Sequence, residues 1–171
     1  MKWRAMFEIA AVSTLAAVVL AIPANAVAQG GTVLKPADTE KLLPDKVYYK
    51  GMSATTQLRN SGGIKFADGY YVLTTLVDTS GYSSDVQSKY QAYFITEVPI
   101  KLAGHGVNAG VYGIGFVGDK LVVTDVGAHD LFSVPSTQDD QIKRPTPLQV
   151  LTDPSGGFRL YAQRRYVLIT R

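Results

Sequence analysis

The 171-residue chain contains no cysteine. That excludes a disulfide framework, a thiol nucleophile, a Cys-ligated metal and a lipid-modified N-terminal cysteine, so stability must come from packing. Histidine occurs twice and tryptophan once. The lone tryptophan, Trp3, sits in the opening segment, which argues against a tryptophan-based sugar platform. Charge of one sign is scarce as well. The formal net charge is +3 at pH 7, too weak to argue for nucleic acid or an anionic membrane surface.

A long hydrophobic run is found at the start, in MKWRAMFEIAAVSTLAAVVLAIPANAVAQ. Lys2 and Arg4 make a positive region, Ile9 to Ile22 an apolar run, and Pro23 a break before small residues. This is the layout of a secretory signal peptide, although Glu8 fits it poorly. Two cleavage frames satisfy the small-x-small rule, after Ala26 and after Ala28. The run is shorter than the roughly 20 residues of a membrane-spanning helix. The sequence therefore predicts a periplasmic or secreted protein with no stable membrane insertion once the signal is removed.

The expected organisation is a signal peptide over 1–26, a flexible lead-in over 27–46 and a single β domain over 47–171. The lead-in, GGTVLKPADTEKLLPDK from Gly30, is polar and interrupted by Pro36 and Pro44. Beyond it, short runs of Val, Ile, Thr and Tyr alternate with Gly, Pro, Asp and Ser clusters, the pattern of many antiparallel strands. Predicted strands cover 47–50, 54–59, 69–77, 89–98, 111–117, 120–126, 131–134, 148–151, 158–162 and 166–170. They imply an all-β, antiparallel β-sandwich, with a small β-barrel as the alternative. Within SSDVQSKYQAYF a helix can start at Ser83 or Ser84, but the alternation of Tyr90, Ala92, Phe94, Thr96 and Val98 favours a strand from Lys89.

Residues 103–130, AGHGVNAGVYGIGFVGDKLVVTDVGAHD, hold both histidines. Gly118-Asp119 between two β-like runs reads as a two-residue hairpin loop, pairing Phe116 with Leu121, Ile114 with Val123, Gly115 with Val122 and Gly113 with Thr124. Gly113 and Gly115 strip one strand face of side chains, so something approaches closely there. An aromatic side chain of the protein is one reading. A ligand touching Gly113, Gly115 and Tyr112 is the other. Gly113-Ile114-Gly115-Phe116 also resembles the carboxylate-binding loop of PDZ domains, and the following KLVVTDV resembles that family's next strand, but the likeness stops at Val126.

The open end of this hairpin brings His105 and His129 into the same neighbourhood. With Asp125 they offer a nitrogen and oxygen ligand set for zinc or another divalent ion, and Asp130 a general base or fourth ligand. No HExxH spacing and no Gly-x-Ser-x-Gly elbow supports that chemistry. The preferred reading is a non-catalytic binding or structural module without a cofactor, whose partner is a protein or small ligand of the cell envelope. A metal-dependent hydrolase is the alternative. The ten tyrosines include the pairs Tyr48-Tyr49 and Tyr70-Tyr71, whose members must face opposite sides of a strand. Arg159, Arg164, Arg165 and Arg171, near the C-terminus, read as solvent-facing charge that blunts a sheet edge.

Overall fold

A computed structural model describes residues 30–171; the expected signal peptide lies outside the described residues. The elements, in chain order, are β1 (Gly31–Leu34), α1 (Pro36–Thr39), β2 (Lys46–Tyr49), β3 (Met52–Phe66), β4 (Tyr71–Val77) and α2 (Ser84–Lys89). They continue with β5 (Ala92–Thr96), β6 (Ile100–Leu102), β7 (His105–Val107), β8 (Gly110–Val117), β9 (Lys120–Thr124) and β10 (Asp130–Pro135). The last are β11 (Thr137–Gln138), β12 (Gln149–Thr152), β13 (Phe158–Ala162) and β14 (Arg165–Thr170).

These strands form two antiparallel sheets. The larger runs β1-β3-β4-β5-β8-β9-β10, with β2 beside the first part of β3. The smaller runs β12-β13-β14-β6-β7, with β11 beside the start of β14. Neither closes on itself, so the barrel alternative gives way to a sandwich-like arrangement. The reason lies at the end strands. β1 packs against β12, while the His105 ring of β7 stacks on Phe132 of β10 with centroids 4.0 Å apart. Each end strand of one sheet thus covers an end strand of the other.

Strand alternation builds the core between the sheets. Ile64, Phe94, Ile114, Leu121 and Val123 of the large sheet meet Leu102, Phe158, Leu160 and Ile169 of the small one, all buried. Burial of each such side chain is worth about 1.5–3 kcal/mol. A second, smaller cluster lies around Tyr49, Tyr82, Val86 and Tyr90, where α2 packs on β8 and β9. The large sheet is therefore buried on both faces along β8.

Turn chemistry sets the registers. Lys50 and Gly51 both adopt positive φ (46° and 77°) between paired Tyr49 and Met52, as a type I′ hairpin requires. Gly118 alone is positive (61°) in the β8–β9 loop, which fits type II′. The predicted β8–β9 register is observed from Gly113↔Thr124 to Phe116↔Leu121. The expected pairs of Tyr112 with Asp125 and Val111 with Val126 do not form, because β9 ends at Thr124 and Asp125 opens a turn. Gly113-Ile114-Gly115-Phe116 is thus strand interior and forms no loop of the PDZ kind.

Several segments differ from expectation, including β3, which runs from Met52 to Phe66 where a strand over 54–59 was expected. Gly31–Leu34, expected within the flexible lead-in, pairs with Gly63–Phe66 of β3, so a partner about thirty positions away supplies its order. α1 follows it and docks on β3, where buried Thr39 and Ser61 hydroxyls lie 2.6 Å apart. Ser84–Lys89 is a helix, and the strand begins only at Ala92. The alternation from Tyr90 to Thr96 was real, but its first part belongs to the helix exit. β6 and β7 form a further hairpin through Ala103 (φ 46°) and Gly104 (φ 85°). No helix among the described residues is long and apolar enough to cross a membrane.

Candidate functional site

At the end of the β8–β9 hairpin, Asp125 opens a tight turn. Its Oδ1 accepts from the backbone N–H of Gly127 and His129 at 2.8 and 2.9 Å, and its Oδ2 lies 2.9 Å from His129 Nδ1. The His129 contacts, backbone first, hold the Asp125 carboxyl below the usual carboxylate range. Asp130 turns to Lys89 of α2, with Nζ to Oδ2 at 3.1 Å. His105 belongs to β7 of the other sheet and spends its ring on Phe132. Among the described residues no three ligating side chains of the His, Asp, Glu or Cys type converge. The hairpin end reads as an Asx-type turn fastened to α2.

The face thinned at Gly113 and Gly115 is filled by the chain itself. A Cβ on Gly113 would come within 2.6 Å of Tyr49 Cε2 and 2.9 Å of Tyr90 Cδ2. One on Gly115 would meet the Lys89 carbonyl oxygen at 2.4 Å. The absent side chains let α2 and the stacked Tyr49–Tyr90 pair (centroids 3.5 Å apart) lie directly on β8. Tyr112 points to the opposite, inter-sheet side, where it packs against the core and its hydroxyl donates to the Asn108 carbonyl at 3.0 Å. The three residues therefore share no surface.

The four C-terminal arginines separate into two kinds. Arg171 pairs with Asp68 at 2.6 Å. Arg159 lies on the outer face of β13 and is surrounded. Its Nε bonds Asp153, its Nη1 lies 3.7 Å from Asp139, and its guanidinium sits 4.5 Å from the Tyr166 ring centroid. Tyr161 donates to Asp139 at 2.6 Å. The Tyr161 hydroxyl holds Asp139 below the carboxylate range, and the Ser155 hydroxyl followed by Arg159 does the same for Asp153. Tyr161 is pushed up by burial first and by Asp139 next. A cleft of about 460 Å³ borders this network, but every charge in it is already matched.

Arg164 and Arg165 are different. They occupy the β13–β14 turn, at the edge of a cleft of about 860 Å³ lined by residues of both sheets. Leu76 and Phe116 of the large sheet and Ala162 of the small one form an apolar floor. Pro145 to Pro147 make one wall, and Gln138, Gln163 and both arginines stand at the rim. Gln91 reinforces the back. Its Oε1 accepts from Phe116 N–H at 3.0 Å and its Nε2 donates to the Phe116 carbonyl at 3.1 Å, so one side chain completes the ladder beyond β5.

No carboxylate lines this cleft, and neither arginine has a carboxylate within 4.0 Å among the described residues. Arg164 Nη1 donates to the Ile142 carbonyl at 3.1 Å and Arg165 Nη1 to Ser136 Oγ at 3.2 Å. Both bonds go to neutral acceptors. Asp140, the acid on the neighbouring loop, accepts from Gln138 Nε2 at 3.0 Å instead. The sequence carried one signal for this site, the adjacent Arg164-Arg165 in a tight return. It did not reveal which of the four arginines are neutralised, because Asp68, Asp139 and Asp153 are remote or non-adjacent in the chain.

Comparison with known protein families, with characterised proteins and with solved structures found no match for this chain. The functional reading rests on the geometry above.

Proposed function

We propose that this protein is an exported, non-catalytic binding module whose ligand occupies the cleft at the mouth of the sandwich. Export is the expectation from the N-terminal sequence. The observation that carries the binding role is the cleft itself: its size matches the roughly 300–1,000 Å³ of small-molecule sites, and it combines an apolar floor with a few polar groups at the rim. No comparable vacancy lies over Gly113 and Gly115, where tyrosine rings and α2 fill the space.

Backbone amide NMR of the domain against a mixed set of apolar, polar and charged fragments tests the location. The expected result is saturable shifts at Gln91, Phe116 and Ala162, abolished by Ala162→Trp, which fills the mouth. Shifts confined to the hairpin end around Asp125 and His129, or none anywhere, overturn the assignment.

A further inference from the structure

We infer that the ligand of this cleft is a small amphiphilic anion, an apolar body carrying a carboxylate or phosphate head that Arg165 and Arg164 receive. The inference rests on the binding reading above and adds the chemistry of the ligand.

Its basis is a mismatch of charge. Arg159 is matched by Asp153 and Asp139, Arg171 by Asp68, and Lys89 by Asp130 and Asp85. Exposed strand cations such as Lys65, Lys101 and Lys120 face solvent instead, whereas Arg164 and Arg165 both line a cleft that contains no carboxylate. At the mouth, among the described residues, Arg164 meets only the backbone carbonyls of Asp140 and Ile142, and Arg165 only the Ser136 hydroxyl. An anion in the cleft forms charge-assisted hydrogen bonds that these neutral acceptors do not supply. Arginine's planar donor fork suits a carboxylate or phosphate head.

The depth of the cleft defines the other half of the ligand. Arg165 alternates with Val167 and Ile169 on the inner face of β14, and it pairs with Ala162 of β13. Its side chain therefore stands at the entrance to the inter-sheet space, with Leu76 and Phe116 facing it from the large sheet. An ion such as free phosphate would leave that apolar floor uncovered. A head group with a short alkyl or aryl body covers both parts at once.

Matched probes separate this inference from the reading beneath it. Octanoate, octyl phosphate, octanol and octylamine are titrated against the full domain by calorimetry, with NMR shifts to locate each. The expected result is binding of the two anions at Phe116 and Ala162, with octanol and octylamine at least about tenfold weaker, the size of one charge-assisted bond. Arg165→Gln should lower anion affinity about tenfold, Arg165→Lys should recover only part of that loss, and added salt should weaken binding. Unchanged melting of Arg165→Gln, and unchanged Arg164 contacts by NMR, show that the loss is not misfolding. Octanol binding at the mouth as tightly as octanoate, or Arg165→Gln binding anions as the parent does, overturns the anion inference and leaves the cleft as a binding site. Failure of all four probes to shift any residue of the mouth overturns both.

Discussion

Tyr49 and Tyr90 stack face to face in the smaller core, but their hydroxyls are treated differently. Tyr49 Oη shares a 2.7 Å hydrogen bond with Thr124 Oγ1, whereas buried Tyr90 Oη has no partner among the described residues. Burial raises the Tyr90 phenol well above its ordinary range, so it stays neutral. A buried hydroxyl with no partner costs free energy, while one with a partner contributes. Tyr90→Phe should therefore be neutral or stabilising by up to ~1 kcal/mol, and Tyr49→Phe should destabilise by ~1 kcal/mol. Urea denaturation of the two variants checks this; equal losses would mean that Tyr90 Oη is bonded. The adjacent Tyr48, 63% exposed, faces the other way, as strand alternation demands of any Tyr-Tyr pair. What alternation could not tell is that β8 opposite these rings would be buried too, because that depends on where α2 comes to lie.

Among the elements, β13 is held to its neighbouring loops by charge. Asp139 follows β11, Asp153 follows β12, and both reach Arg159 on the outer face of β13. Their carboxyl groups titrate below the usual value in the folded protein. Such groups contribute stability that is complete above the unfolded carboxylate range of about pH 4 and is lost as pH falls through the lower folded values. Thermal melts of the parent protein should thus decline on acidification across that window. Asp153→Asn should melt lower at neutral pH and lose less on acidification; an acid limb parallel to the parent's would show that Asp153 carries none of the effect. The strands of the closing hairpin, 158–162 and 166–170, were readable in advance. The hairpin's acidic partners were not, since they come from loops whose approach only the folded sheet determines. The same limit applies to the metal reading, which placed His105 beside the β8–β9 hairpin before β7 was known to pair with β6.

At the scale of the whole molecule, the first described strand closes an edge of the large sheet. β1 covers the edge of β3, and Gly31 brings its backbone so close to Phe158 that a Cβ there would lie 2.9 Å from Cζ. A chain shortened to begin after residue 35 should melt lower and associate at high concentration, because the edge of β3 is then unpaired. Melting curves and light scattering, compared with a chain beginning after residue 28, check this; identical behaviour would mean that β1 adds no protection. The local pattern of the sequence was enough to determine an all-β domain built without disulfides, most of its strands, and the register of the β8–β9 hairpin, because alternation and turn glycines act over a few residues. Tertiary structure alone decided that β1 is ordered, that the two glycines of β8 receive tyrosines and a helix, and that two arginines at the mouth of the sandwich are left without acids. Each of those outcomes depends on partners tens of residues away, and no short stretch of sequence records which distant side chain will arrive.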